Sequence, residues 1–331
     1  WFLGPKPFLL AHNVRLSISG SLQSLSKYVP LEFARKPRDT KLLLRWKATE
    51  FRAFLLYFSP VVLKPSLPAK LYQHFLSLHI AMTVLLTPSL CVSETMKDYS
   101  KNLLVNFVQL TSQLYSPRFL THNFHNLIHL VDDANHLNEI IGQTNFSLND
   151  ISSFPFESFL QQLKKLTRSY AKPLEQVSRR ITELYISGNI KSLYLVPQPQ
   201  SIWTLKDPHF EGFLPPSCTG PQFKCVVFEN FTIKTTGNAD NCCSMKGGEI
   251  VIVDNIAYSN ELKTEVIIGR KYVNVVDFYS EPFCTSSNLN TFKVSDLSDP
   301  KIWKISDITF KFIHLPCENY FVVIPLLHTC C

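Results

Sequence analysis

Three histidines, His122, His125 and His129, stand three and four residues apart in the run from Thr121 to Val131. On a helix these spacings stack the side chains on one side, and two ring nitrogens four residues apart have the spacing of metal ligands. The competing reading is ordinary core or surface histidines, because an i, i+4 pair by itself specifies no metal. Asp132 and Asp133 follow at once, as further ligands or as solvated acids. Beyond a polar stretch, Phe154-Pro155-Phe156-Glu157 opens another helix with Pro in its first turn. Glu157 there lies above Gln161, Lys164, Lys165 and Arg168, so one carboxylate heads a cationic strip suited to a polyanion. Arg179 and Arg180 add to that charge on the next helix. Glu157 also has a plain reading, as a first-turn acid that satisfies orphan N–H groups and favours the helix dipole. Glu50, set among apolar residues after Trp46, reads as a buried, paired carboxylate orienting Arg52 or Arg45, behind any site rather than in it.

The elements that must position these residues divide the chain in two. Apolar residues recur at helical spacing over Lys41–Tyr57, Leu71–Leu86, Met96–Tyr115, the histidine run, Phe156–Tyr170 and Leu174–Ile186, with Pro60, Pro65, Pro68, Pro117 and Gly142 as stops. Around Val196–Pro216 the composition turns to Pro, Gln and Ser, and beyond it the period becomes two. Strands are expected over Lys224–Thr235, Glu249–Tyr258, Thr264–Ile268, Lys271–Tyr279, Ile308–His314 and Tyr320–Pro325, with turns at Gly247-Gly248, Gly269-Arg270 and Asn319. The expected class is α+β: a basic helical domain over 1–195, a linker over 196–222 and a small all-β barrel or sandwich module over 223–331. That module distantly resembles the SH3-like and BAH-like modules of chromatin proteins.

With 331 residues, 45% of them hydrophobic, the chain can bury a sizeable core. Its formal charge of +7 is unevenly placed: residues 1–195 hold 22 Lys/Arg against 12 Asp/Glu, and residues 196–331 hold 11 against 14. Nucleic acid, if bound, meets the first part; the alternative is an ordinary solvated basic surface. The nine cysteines form no Cys-x-x-Cys pair and read as reduced thiols of an intracellular protein. The most apolar run, Leu71–Val92, contains Gln73, His74, His79 and Pro88, so it is expected to be a buried helix and no membrane contact is expected. The start at Trp1 lacks a secretory signal and fits a piece of a longer reading frame.

Two blocks carry a family resemblance. The first is Asn123-Phe124-His125-Asn126-Leu127-Ile128-His129-Leu130-Val131-Asp132-Asp133, a spacer, then Phe154-Pro155-Phe156-Glu157 with Leu160, Leu163, Lys164 and Lys165. The second is Val29-Pro30-Leu31-Glu32-Phe33-Ala34-Arg35-Lys36-Pro37-Arg38 followed by Trp46-Lys47-Ala48-Thr49-Glu50-Phe51-Arg52. Together they resemble the last catalytic segment of DDE transposases of the CACTA-like group, found in transposase domain-containing proteins of animals. The resemblance covers most of residues 25–190.

It implies a nuclear, cut-and-paste DNA transposase with an RNase H-like core, of which this chain keeps the helical insertion, the last catalytic helix and the appended β module. Glu157 then occupies the third carboxylate position that holds catalytic Mg²⁺ or Mn²⁺, and His125 and His129 form the histidine half of a structural Zn²⁺ site, with His122 and Glu50 behind them. Lys164, Lys165, Arg168, Arg179 and Arg180 would contact transposon-end DNA, a homo-oligomer is implied, and the β module would meet a protein or chromatin partner. The first two catalytic aspartates and the Cys-x-x-Cys are absent from the chain, so it is expected to be inactive alone. The alternative from another class is a domesticated DNA- or chromatin-binding protein without catalysis.

Overall fold

Helix α1 (His12–Ser24) buries Ile18 and Leu22, one turn apart, and Leu25 continues the same face. A computed structural model describes residues 1–144, 146–188, 203–282 and 285–327. After α1 the chain makes a 3₁₀ turn over Thr40–Arg45, opened by the Asp39 carboxylate accepting the Lys41 N–H at 2.8 Å. The helix expected over Lys41–Tyr57 begins only at α2 (Ala48–Ala53), widens into a π turn over Phe54–Phe58 and runs on as α3 (Ser59–Leu63). Pro60, read as a stop, is carried inside this continuous helix. The π turn moves the Ser59 N–H onto the Phe54 carbonyl, and proline in the first turn of α3 has no N–H left to satisfy.

α4 (Ala69–Leu86) is buried on all sides, which explains an apolar run with no stripe. Among the described residues no helix is long and apolar enough to cross a membrane. The short α5 (Pro88–Cys91) leads into α6 (Glu94–Leu114), whose Leu103, Leu104, Phe107 and Val108 lie inside. The histidine run is broken rather than continuous: α7 (His122–His125), a 3₁₀ turn over Asn126–His129, then α8 (Leu130–Ile141). Gly142 ends α8 in the left-handed conformation, as its sequence position suggested.

Among the described residues ten strands follow: β1 (Trp203–His209), β2 (Cys218–Phe228), β3 (Thr232–Lys234), β4 (Cys242–Met245), β5 (Ile250–Ser259), β6 (Thr264–Asp277), β7 (Phe292–Leu297), β8 (Lys301–Lys304), β9 (Ile308–Cys317) and β10 (Tyr320–Pro325). The antiparallel pairings β5–β4–β9–β10–β7–β6–β5 close a ring of six strands. Each strand of the ring puts a side chain into one core: Cys242, Ile250 and Ile252, Tyr272, Val294, Phe312 and Val323. β6 runs straight through Gly269-Arg270, where a turn was expected. A Cβ at Gly269 would stand 2.3 Å from the Ile252 carbonyl oxygen, so this glycine permits close approach of β5 and β6.

The helices and strands are not separate domains. Residues 1–148 and 204–331 form one compact unit, and residues 149–203 form another. β9 and β10 are apolar on both faces: Phe312 and Val323 face the ring interior, whereas Ile313, Leu315, Val322 and Ile324 share a core with Leu56, Leu63, Ile80 and Leu85 of the helices. The expected linker over 196–222 holds β1 and the start of β2.

The second unit contains α9 (Phe154–Lys165) and α10 (Pro173–Ile186). The Gln176 side chain clamps their connection, accepting from Arg168 N at 2.8 Å and donating to Ser169 Oγ at 3.0 Å.

Candidate nucleic-acid interface and histidine pair

α9 starts at Phe154 with Pro155 in its first turn, so Glu157 is its fourth residue. The Glu157 side chain lies outside the described residues. Lys164, Lys165, Arg168 and Arg179 are exposed and have no ion-pair partner among the described residues. Arg180 differs: its guanidinium reaches Glu183 at 2.5 Å, one helical turn on, so part of its charge is already answered. The arrangement is two successive helices whose Lys164, Lys165, Arg168 and Arg179 side chains are exposed and, among the described residues, have no ion-pair partner.

His125 and His129 do come together, with ring centroids 5.4 Å apart and planes 72° to each other. Both are exposed, and His122 faces Asn126 instead, with Nε2 3.3 Å from the amide nitrogen. Asp132 is held by Lys101 at 2.6 Å. Among the described residues no group of three or more His, Cys, Asp or Glu is placed to hold a metal ion. Two imidazoles alone do not make the closed four-ligand site that structural zinc requires.

Glu50 is buried and paired, as its apolar surroundings implied, but its partner is Arg38 where the sequence pointed to Arg52 or Arg45. Arg38 Nε and Nη2 donate to the two carboxylate oxygens at 2.5 and 2.7 Å, and the Lys47 N–H adds a third bond at 2.8 Å. Burial raises the Glu50 pKa, yet the Arg38 hydrogen bonds, the Lys47 N–H and the charges of Arg38 and Arg35 together hold it below the usual value.

Sequence reasoning passed over Lys311. Its side chain is fully buried, and its ammonium meets Glu32 Oε2 at 2.8 Å, Asp240 Oδ1 at 2.5 Å and the Thr232 carbonyl at 2.7 Å. Glu32 belongs to the block before Phe33, so this cluster ties that block to β3 and β9. The available signal was a lysine alternating with Phe310 and Phe312 inside an apolar strand. Cys242 and Cys243 are fully buried; burial pushes the Cys242 thiol well up and the Cys243 thiol up to about 12, which disfavours the thiolate a metal needs.

A cavity of about 260 Å³ lies between aromatic side chains including Trp1, Phe75, Phe107 and Tyr115. Of its polar groups, His74 Nε2 is 2.9 Å from the Phe107 carbonyl and 3.2 Å from Thr111 Oγ1, whereas the Trp1 indole N–H has no hydrogen-bond partner among the described residues.

A family model described as Domain of unknown function (DUF8592) matches residues 208–326, nearly the whole set of strands. No curated protein and no solved structure matches the chain.

Proposed function

We propose that this chain is the C-terminal portion of a DDE-type cut-and-paste DNA transposase, and that the α9–α10 hairpin faces the DNA. The observation carrying this reading is the position of Glu157 in the first turn of α9, in a two-helix segment whose Lys164, Lys165, Arg168 and Arg179 are exposed and unpaired among the described residues. The motif order supports it: the histidine pair, a helix closed at Gly142, then the helix that opens with Phe154-Pro155-Phe156-Glu157.

When bound, two divalent cations such as Mg²⁺ or Mn²⁺ activate the attacking hydroxyl and stabilise the leaving oxygen of a phosphodiester. Glu157 would supply one carboxylate to them. One carboxylate does not hold two cations, so the reading requires the two aspartates from chain outside residues 1–331. His125 and His129 would likewise give two of four zinc ligands, fastening this segment rather than reacting. DNA in the nucleus is the partner.

The test is Glu157→Gln in the complete transposase. It keeps size and hydrogen-bond acceptance but removes the charge that holds a cation, so strand nicking should collapse while DNA binding and melting temperature persist. Near-normal nicking with Mg²⁺ would remove Glu157 from the active site. A capping role alone would cost only about 0.3–1 kcal/mol of stability and leave an active enzyme.

A further inference from the structure

Residues 35–47 hold six Lys/Arg and a single acid, Asp39. The acids nearby are all committed. Asp39 accepts from Ser19 Oγ and from Lys41 N, both at 2.8 Å. Glu32 is spent on Lys311, and both oxygens of Glu50 are taken by Arg38. Arg35, Lys36, Lys41, Arg45 and Lys47 are exposed, and none has an ion-pair partner among the described residues.

In the middle of this stretch, Arg35, Lys36 and Arg38 line a notch with Trp46 and Glu50. Its volume is about 10 Å³, room for one oxygen-sized atom. Trp46 is only 8% exposed, and its indole N–H is buried with no hydrogen-bond partner among the described residues. Buried donors are nearly always paired, so an orphan on a residue that lines a notch with Arg35, Lys36 and the Arg38–Glu50 pair needs an explanation. A notch of this size excludes a base or a sugar ring and suits one non-bridging oxygen of a phosphate. Lys41, Arg45 and Lys47 then extend the positive charge beyond it, as successive phosphates of one polymer require and a lone anion does not.

We propose that Arg35, Lys36 and Trp46 form a second contact for the phosphate backbone of duplex DNA, on the unit of residues 1–148 and 204–331 and made by residues other than those of α9 and α10. The inference rests on the reading of the chain as DNA-binding, but it assigns the contact to different residues.

The experiment uses the 331-residue chain and a short labelled duplex, with anisotropy titrations between about 50 and 200 mM salt. Arg35→Gln with Lys36→Gln should flatten the slope of log affinity against log salt by about 2, since each lost phosphate contact removes about 0.9. Trp46→Phe, which keeps the ring and removes the N–H, should weaken binding about tenfold at constant slope. Arg35 and Lys36 are exposed, so an unchanged melting temperature of that double variant controls for folding.

Lys164→Gln with Lys165→Gln and Arg168→Gln is the parallel variant on the hairpin. An effect there and none from Arg35 and Lys36 overturns this proposal and leaves the hairpin reading standing. The converse supports this proposal and removes the hairpin from DNA. No binding by the unaltered chain at low salt removes both. The ¹⁵N-indole resonance lost in Trp46→Phe identifies Trp46. Its movement with duplex and not with inorganic phosphate or polyglutamate supports the backbone site; equal movement with either competitor overturns it in favour of a small-anion or acidic-peptide site.

Discussion

The two units of this chain place charge under opposite rules. In the unit of residues 1–148 and 204–331, several charged and titratable groups are buried and answered: Lys311 by two carboxylates, Glu50 by Arg38, His79 by the Leu55 carbonyl at 3.0 Å. In the unit of residues 149–203, no described residue is buried, seven Lys/Arg stand against four Asp/Glu, and Lys164, Lys165, Arg168 and Arg179 have no ion-pair partner among the described residues. Packing explains why the residues of the first unit are what they are. It does not explain those of the second, whose cations and exposed Leu160, Leu174 and Ile186 make sense only through something external to that unit. The notch at Trp46 is informative because it is a place in the first unit that follows the rule of the second.

The largest effect separating the units is expected at Lys311. Lys311→Met leaves Glu32 and Asp240 facing each other without their cation, and breaking a buried pair in this way costs about 3–5 kcal/mol. Urea unfolding should show that loss in the cooperative transition of the first unit. Combining Lys311→Met with Glu32→Gln and Asp240→Asn should recover much of it, because the residual cost is the orphaned charge. A loss below about 1 kcal/mol in the single variant would mean that the cluster is not what joins the block before Phe33 to the strands.

The next effect is a pH dependence. Burial pushes His79 and His314 down to about 4, from an ordinary value near 6.5. The unfolded chain therefore takes up these protons first as pH falls. Their contribution is intact above about pH 6.5 and is lost progressively as pH drops toward 4, by about 2 kcal/mol for each histidine at pH 5. Asp39, Glu50 and Glu249 are shifted down from carboxylate values, so they lose their contribution at lower pH and do not confuse this window. Denaturation midpoints at pH 7 and 5 should differ accordingly, and His314→Gln should shrink the difference by about 2 kcal/mol. An unchanged difference would place His314 in contact with water in solution, against its burial beside Tyr272, whose hydroxyl is 2.6 Å from Nε2.

Much of this architecture was legible from spacing alone. The long helices α4 and α6, the stop at Gly142 and the start of α9 and α10 follow from apolar period, proline and glycine, which are local signals. The α+β class and the α-first order followed too. The misplaced boundaries have one cause: β9 and β10 alternate in period two but are apolar on both faces, and period two does not say whether the second face meets water or a helix. Separate domains were therefore expected where helices and strands share a core. Gly269 looks like a turn because its role, close approach to Ile252, lies in a partner strand. At the candidate site, the pairing of His125 with His129 and the burial of Glu50 could be read from spacing and surroundings. Arg38 as the Glu50 partner, and the tie from Lys311 to Glu32, could not, because they join residues far apart in sequence.

The smallest effect tests the comparison most directly. Leu174 and Ile186 sit on α10 at 83% and 79% exposure, so replacing both with Ser removes little area that folding had hidden. The chain's main unfolding transition should move by no more than about 0.5 kcal/mol, the usual range for surface substitutions away from buried features. Because these side chains are apolar, the salt slope of the proposed DNA binding should also hold, in contrast to changes at Lys164 and Lys165. A loss above about 1 kcal/mol in the isolated chain would show that α10 buries its apolar face in solution, and the two units would then obey one rule rather than two. Stability unchanged in the isolated chain but lost in a longer protein of the proposed kind would assign that face to a contact made only there.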